Sequence, residues 1–172
     1  LRKALAQIEE ASKTAGEYNG VRSGFSDIDK VTLGWQPSDL IIIAARPSMG
    51  KTAFVLTMAR NMAVDFKKPV AFFSREMSGQ ELAMRLISSE ARLPGDKLKK
   101  GRLEPYEKEQ LKAGAQRLHE ASNRLLIDDT PALTIFELRA KARRLKQRYD
   151  IQMIFIDYLQ LMTANAGKGS RQ

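Results

Sequence analysis

Short apolar runs alternate along this chain with segments of helical periodicity, and this alternation restricts the fold more than any other feature. The apolar runs cover residues 40–44, 70–74, 125–127 and 151–156. Helical patterns cover residues 52–66, 78–92, 104–121 and 134–149. Strands that are apolar nearly throughout are typical of a parallel sheet, because helices bury both of its faces. We therefore predict an α/β fold with a mostly parallel sheet covered by helices on both faces.

Two capping boxes mark where helices begin. Ser78 is followed three residues later by Glu81, and Thr134 is followed at the same spacing by Glu137. In such a box each side chain accepts a hydrogen bond from the other residue's backbone N–H. We expect helices to begin directly after Ser78 and Thr134.

Composition excludes several kinds of site. The 172 residues include no cysteine and one histidine, His119, so thiol catalysis, cysteine-bound metals and multi-histidine metal sites are excluded. The net charge of +9 favours an acidic partner, whether nucleic acid, nucleotide phosphates or an anionic membrane surface. The longest apolar run, residues 40–45, is too short to span a membrane. We expect a cytoplasmic protein with no membrane partner.

A glycine-containing loop stands between the first apolar run and the next helical pattern. Its sequence, ARPSMGKT, covers residues 45–52. Gly50 lets the backbone approach a phosphate, and the N–H groups of the loop and of the helix N-terminus face that anion. Lys51 would reach the terminal phosphates and Thr52 would offer its hydroxyl to Mg²⁺. The alternative is a fortuitous helix start.

The loop departs from the general phosphate-binding pattern at its first position. That pattern has glycine where this chain has Ala45. Alanine is penalised in the left-handed region, so we expect a negative φ at Ala45. The predicted nucleotide-binding residues are Ala45, Arg46, Pro47, Ser48, Met49, Gly50, Lys51, Thr52 and Ala53.

Nucleotide hydrolysis also needs a carboxylate near Mg²⁺ and a group that activates water. Three candidate positions lie where apolar runs end: Asp157, the pair Asp128 and Asp129, and Glu76. A parallel sheet places its ligands at the carboxyl ends of its strands. The residues alone rank Asp157 above Asp128 only because its strand is more apolar. The alternative for each is an acid in a solvated turn, or for Glu76 a charge near a helix N-terminus.

The N-terminal segment has a helical stripe of its own. The apolar residues Leu1, Leu5 and Ile8 recur at helical spacing. Gly16 and the pair Asn19-Gly20, which are typical of turns, end this segment. We divide the chain into a linker helix with its connection, residues 1–20, and one globular domain, residues 21–172. From the residues alone, the helix could dock on its own domain or on another copy.

Several motifs together resemble one family, the C-terminal ATPase domain of DnaB-type bacterial replicative DNA helicases. They are ARPSMGKTA at 45–53, FFSREMS at 72–78, LIDDTP at 126–131, TIFELRAKARRL at 134–145 and IDYLQL at 156–161. Residues 24–29 and 34–37 also match. The resemblance implies a RecA-like P-loop core that uses ATP. It also implies a ring-shaped hexamer that moves along single-stranded DNA and unwinds the duplex.

The resemblance also implies roles for individual residues. Lys51 and Thr52 would bind phosphate and Mg²⁺, Glu76 would polarise the attacking water, and Asp157 would support the metal. Lys168 and Arg171 are candidate DNA-phosphate contacts. The implied partners are single-stranded DNA, further copies of the chain, primase and a helicase loader. The linker helix would pack on the adjacent subunit.

Two departures from the family pattern bear on function. Arg75 stands where the family usually has an apolar residue. The chain also stops soon after Asp157, without counterparts of the family's later strands and arginine finger. We therefore expect a C-terminally incomplete domain that by itself is a poor ATPase.

Alternatives to a motor domain stay open at this point. One is a nucleotide-binding module or assembly fragment without turnover, and another is a small P-loop kinase. The basic helix over residues 134–149, which includes Arg139 and Arg143, is interpreted as a solvated outer face, with a nucleic-acid contact as the alternative.

Overall fold

A computed structural model describes residues 18–131 and 133–157. The predicted linker helix before residue 18 and the candidate DNA contacts Lys168 and Arg171 lie outside the described residues. The helices are α1 (Ser26–Thr32), α2 (Lys51–Arg60), α3 (Gly79–Ala91), α4 (Gly95–Lys100), α5 (Pro105–Glu120) and α6 (Ile135–Tyr149). The strands are β1 (Val70–Ser74), β2 (Leu125–Asp128) and β3 (Met153–Asp157). A π-helical turn, Asn61–Asp65, continues α2. None of the described helices combines the length and apolarity that a membrane span needs.

The described strands form one parallel sheet with β1 in the centre and the order β2-β1-β3. Their register brings the carboxyl ends to one edge, since Phe73 lies opposite Asp128 and Ser74 lies opposite Asp157. The parallel sheet predicted from the sequence is confirmed. Its register places the loop after β1, which carries Glu76, between the acids that end β2 and β3.

Helices cover both faces of the sheet. On one face Val70 and Phe72 belong to a core that includes Leu56 of α2 and Leu82 of α3. On the other face Ala71 and Phe73 pack with Leu138 of α6 and its neighbours. All five residues of β1 are buried. The prediction of helices on both faces is confirmed, because successive side chains of a strand point to opposite faces.

Helices α3 and α5 approach each other closely at Gly114. A Cβ atom added at Gly114 would lie 2.8 Å from the backbone nitrogen of Ala91. Next to this contact the buried carboxylate of Glu90 pairs with Arg60 of α2, at 2.6 Å, and with Arg117 of α5, at 2.9 Å. These contacts join the three helices on one face of the sheet.

The segment that precedes α1 rests on the far end of α2. The buried carboxylate of Asp29 accepts hydrogen bonds from the backbone N–H of Ser23, at 2.6 Å, and from its hydroxyl, at 2.7 Å. The Asn61 side-chain amide donates to the Ser23 carbonyl at 3.3 Å. Gly24 has a φ of 82°, and a Cβ atom there would lie 2.4 Å from the Asn61 amide nitrogen. The segment is therefore seated directly on the π-helical turn.

Both predicted capping boxes are present. Ser78 and Glu81 exchange hydrogen bonds at the start of α3. Thr134 and Glu137 do the same at the start of α6. Local sequence chemistry therefore located both helix starts correctly.

The strand predicted for residues 40–44 is absent from the described sheet, so this prediction is wrong. Leu40 and Ile42 are 83% and 79% exposed, whereas Ile43 packs partly against the core. A strand requires a hydrogen-bonding neighbour, and no described residue is paired with this segment in the sheet. Its apolar composition indicated burial but could not supply that neighbour.

Two short helices were not predicted. Helix α1 has seven residues and α4 has six, too few to produce a clear periodic pattern. A Pro-Gly pair such as Pro94-Gly95 is typical of a turn that ends a helix. In the structure Pro94 is also the N-cap of α4, and its carbonyl accepts a hydrogen bond from Lys97.

Candidate functional site

The loop before α2 is exposed and contains two left-handed residues. These are Ser48, with a φ of 63°, and Gly50, with a φ of 84°. Ala45 is not among the positive-φ residues, as the sequence predicted. A Cβ atom at Gly50 would meet nothing within 4 Å, so its backbone conformation, and not lack of space, favours glycine. The turn leads directly into α2 at Lys51, whose N-terminal N–H groups are suited to an anion.

One buried carboxylate joins the start of α2 to the end of β3. Asp157 is 3% exposed. One of its oxygens lies 2.9 Å from Lys51 Nζ, and the other accepts a hydrogen bond of 2.6 Å from the Thr52 hydroxyl. The structure therefore brings together three residues that the sequence predicted to act on phosphate and Mg²⁺.

The donors at this point fit Mg²⁺. The Thr52 hydroxyl and the Asp157 carboxylate are adjacent hard oxygen ligands. Mg²⁺ in nucleotide sites is commonly held by one or two protein oxygens together with phosphates and water. Within residues 18–131 and 133–157, no cluster of three or more His, Cys, Asp or Glu residues could hold a metal ion. An ion that shares its coordination with a nucleotide suits this donor set better than one enclosed by protein.

Glu76 lies on the loop between β1 and α3. Its side chain is exposed, and within the described part of the chain its carboxylate makes no hydrogen bond or ion pair. The loop around it is compact, since Met77 donates its backbone N–H to the Ser74 hydroxyl at 3.2 Å, and that hydroxyl donates to the Met77 carbonyl at 2.5 Å. The backbone N–H of Arg75 donates to the Asp157 carbonyl at 2.7 Å. Glu76 is thus free to contact a ligand, on a loop tied to the end of β3.

Asp128 and Asp129 have other partners. Asp128 pairs with Lys141 at 2.5 Å and accepts the Thr130 N–H at 3.0 Å. Burial raises the pKa of Asp128, but the hydrogen bonds from Lys141 and Thr130 outweigh it and leave that pKa below its usual range. Asp129 accepts the backbone N–H of Gly79 at 2.7 Å. Of the acids that end β2 and β3, Asp157 is the one that contacts Lys51 and Thr52.

Sequence reasoning missed the role of Lys141. It lies 13 residues from Asp128, and no local pattern connects the two. The guanidinium of Arg75, noted above only as a departure from a family pattern, donates to the Thr130 carbonyl across 55 residues. Such contacts depend on the order of the strands, which spacing alone does not reveal.

Comparisons with known proteins agree with this geometry. The family model described as "DnaB-like helicase C terminal domain" matches residues 20–172. The replicative DNA helicase DnaB of Leifsonia xyli subsp. xyli is 43% identical over 169 residues, which are 98% of this chain and 36% of that protein. The corresponding helicase of Geobacillus stearothermophilus is 44% identical over 166 residues, which are 96% of this chain and 36% of that protein. The chain therefore spans about a third of the length of these curated relatives.

Two solved structures have the same fold. One, described as an ATPase domain, superposes with a TM-score of 0.88 at 30% identity, over 98% of this chain and 60% of that one. A DnaB-like replicative helicase, described with its interactions with primase, superposes with a TM-score of 0.86 at 30% identity, over 99% of this chain and 41% of that one. The resemblance inferred from the motifs is confirmed. The chain belongs to the DnaB-like helicase C-terminal domain family.

Proposed function

We propose that this chain binds ATP with Mg²⁺ and hydrolyses it as part of the motor domain of a replicative DNA helicase. The observation that most supports the proposal is the contact of Asp157 with both Lys51 and Thr52. A lysine and a hydroxyl at the start of one helix, together with a carboxylate at the end of a strand, are the groups that P-loop enzymes use on a Mg²⁺–nucleotide.

Binding uses the loop and the first turn of α2. The backbone N–H groups that follow Ser48 and Gly50 surround the phosphates, and Lys51 exchanges the Asp157 carboxylate for a phosphate oxygen. Thr52 and Asp157 would hold Mg²⁺, which when bound would neutralise charge that develops on the transferring phosphoryl group. Ala45, Arg46, Pro47, Met49 and Ala53 complete the proposed nucleotide contacts.

Hydrolysis uses Glu76. Its exposed carboxylate accepts a proton from the attacking water and orients that water towards the terminal phosphate. General-base catalysis of this kind contributes about 10²- to 10⁴-fold to a rate. The compact loop and the Arg75 hydrogen bond to Asp157 keep Glu76 at the same edge of the sheet as the metal ligands.

Membership of the family supports a proposal about the wider activity. We propose that the complete protein forms a ring-shaped hexamer that translocates on single-stranded DNA and unwinds the duplex. Lys168 and Arg171 are its proposed DNA-phosphate contacts, and the net charge of +9 suits a nucleic-acid partner. One structural relative is described with its interactions with primase, and we propose primase and a helicase loader as partners here too.

Two substitutions test the proposal. Lys51→Ala should abolish MgATP binding, measured by calorimetry, because the lysine supplies the positive charge at the terminal phosphates. Glu76→Gln should keep MgATP binding but reduce ATP hydrolysis about 10²-fold or more. Hydrolysis is measured as phosphate release by the full-length protein. Glu109→Gln, which changes an exposed acid on α5, is the matched control.

The outcomes separate the two parts of the proposal. Unchanged MgATP affinity in Lys51→Ala would show that the loop is not the nucleotide site. Undiminished hydrolysis in Glu76→Gln, with the control at wild-type activity, would remove Glu76 from the mechanism.

A further inference from the structure

The loop that carries Glu76 is tied at both ends to the loop that follows β2. We propose that Arg75 and Asp129 are positioning residues, which hold Glu76 where it can act on the attacking water. This inference rests on the proposed function and adds to it, since neither residue is among the proposed nucleotide contacts. We call the contacts of Arg75 with Thr130 and of Asp129 with Gly79 the loop clamp.

The first half of the loop clamp is made by Arg75. Its side chain reaches from the end of β1 to the Thr130 carbonyl, to which the guanidinium donates a hydrogen bond. Its backbone N–H is held by the Asp157 carbonyl at 2.7 Å. An apolar side chain at this position could not donate to a carbonyl, so this half of the loop clamp depends on the Arg75 guanidinium.

The second half of the loop clamp is made by Asp129. Its carboxylate accepts the N–H of Gly79, the first residue of α3, at 2.7 Å. A Cβ atom at Gly79 would lie 3.2 Å from the same carboxylate oxygen, so glycine here allows the close approach. The N–H of Ser78 is already taken by Glu81 at 2.9 Å. The start of α3 is thus held both by its own capping box and by the loop after β2.

The loop after β2 is itself well anchored. Lys141 of α6 donates to the Asp128 carboxylate at 2.5 Å and to the Thr130 hydroxyl at 2.6 Å. The N–H of Thr130 donates to the other Asp128 oxygen at 3.0 Å. The loop clamp therefore connects the Glu76 loop to a segment fixed on the opposite face of the sheet.

Only residues 76–78 lie between the two halves of the loop clamp. Among them Met77 is held through Ser74 and Ser78 through Glu81. The Glu76 side chain makes no polar contact of its own in the described part of the chain. Its position is therefore set by the backbone on either side, which the loop clamp restrains.

This arrangement predicts a specific kinetic effect. Misplacement of a catalytic group by about 1 Å can cost about 10²-fold in rate. Lys51, Thr52 and Asp157 lie on α2 and β3, outside the loop clamp, so nucleotide binding should be insensitive to it. Loss of either half should lower kcat and leave the affinity for MgATP nearly unchanged.

The experiment measures the rate of phosphate release and the affinity for MgATP of the full-length protein. Asp129→Ala and Arg75→Leu should each lower kcat about 10- to 100-fold with less than about a twofold change in MgATP affinity. Asp129→Asn keeps a hydrogen-bond acceptor, and Arg75→Lys keeps a donor, so both should recover most of the rate. Asp96→Ala, which removes another acid near a helix start, is the control and should match wild type.

A double-mutant cycle distinguishes positioning of Glu76 from a purely structural role of Arg75 and Asp129. In the Glu76→Gln background, Asp129→Ala and Arg75→Leu should cause no further loss of the residual rate, because their effect passes through Glu76. Independent, multiplicative losses in that background would overturn the inference. Failure of both conservative variants to recover activity, with their melting temperatures at the wild-type value, would also overturn it.

Failure of this inference differs from failure of the proposed function. If Glu76→Gln loses hydrolysis while Asp129→Ala and Arg75→Leu keep the wild-type kcat, the loop clamp does not position Glu76 and only this inference falls. If Glu76→Gln hydrolyses ATP at the wild-type rate, the catalytic assignment and the loop clamp's role fall together.

Discussion

Replacing Asp157 by asparagine should raise the affinity of this chain for ATP in the absence of Mg²⁺. In the structure Lys51 Nζ lies 2.9 Å from the Asp157 carboxylate, which is only 3% exposed. To bind a phosphate, Lys51 must leave this carboxylate. Mg²⁺ can take its place, but without Mg²⁺ a buried negative charge is left beside the negative charge of the nucleotide.

The size of the effect follows from the geometry of the pair. Coulomb's law at 2.9 Å with an effective dielectric constant of about 20 gives about 6 kcal/mol. The Lys51 side chain is 27% exposed, so water compensates for part of this attraction. We take about 1.5–3 kcal/mol, the lower part of the range measured for close charge pairs. At about 1.4 kcal/mol per tenfold change, the affinity for Mg²⁺-free ATP should rise about 10- to 150-fold.

The assay is a titration with a fluorescent ATP analogue, in EDTA and in excess Mg²⁺. Asp157→Asn should bind the analogue more tightly than wild type in EDTA and gain much less from Mg²⁺, because an amide is a weaker ligand than a carboxylate. Asp150→Asn removes an equal charge just before the other end of β3, where Asp150 pairs with Lys146, and should behave as wild type. If folded Asp157→Asn binds the analogue in EDTA no better than wild type, Lys51 is not restrained by Asp157 and the reasoning is wrong.

Two further predictions concern stability. Gly114→Ala should lower the free energy of unfolding, measured by urea denaturation, by about 1–3 kcal/mol, because the new Cβ atom would lie 2.8 Å from the Ala91 backbone nitrogen. Ala113→Ser, at an exposed position of the same helix, is the control and should have little effect. Equal stability of the two variants would contradict the close packing. The second prediction concerns Asp128, whose pKa is lowered on folding by Lys141 and Thr130 despite its burial. The ionised carboxylate therefore contributes to stability above the unfolded-state pKa of about 3.9. This contribution is lost as the pH falls through the pKa of Asp128 in the folded protein. Unfolding free energies measured from pH 6 down to about pH 2 should therefore fall less steeply for Asp128→Asn than for wild type, and parallel curves would refute this assignment.

The features predicted correctly from the sequence are those whose causes lie close together along the chain. The capping boxes at Ser78 and Thr134 each depend on a residue three positions away. The turn before α2 depends on the positive φ of Gly50 and on the helix that begins at the next residue. The continuous apolar character of β1 predicted its burial on both faces, which the structure has.

The features that could not be predicted depend on contacts between distant parts of the chain. Residues 40–44 are as apolar as β1, yet a strand also needs a neighbour, and apolar composition does not identify one. The roles of Asp128 and Asp157 became distinct only when the fold brought Lys141 to one and Lys51 to the other. Resemblance to a family separated these two acids because it carries information about tertiary structure that the spacing of residues lacks.

Helix α2 has a mechanical consequence, because its two ends do different things. Lys51 and Thr52 stand at its first turn, and Asn61, directly after its last residue, holds the carbonyl of Ser23. Ten helical residues are about 15 Å long, and a hydrogen-bonded helix transmits an axial push with little change in length. The helix therefore acts as a rigid strut between residues 45–50 and residues 23–24. If the proposed function holds, a shift of residues 45–50 on ATP binding or product release would be transmitted over that length to the segment that leads back towards the N-terminus.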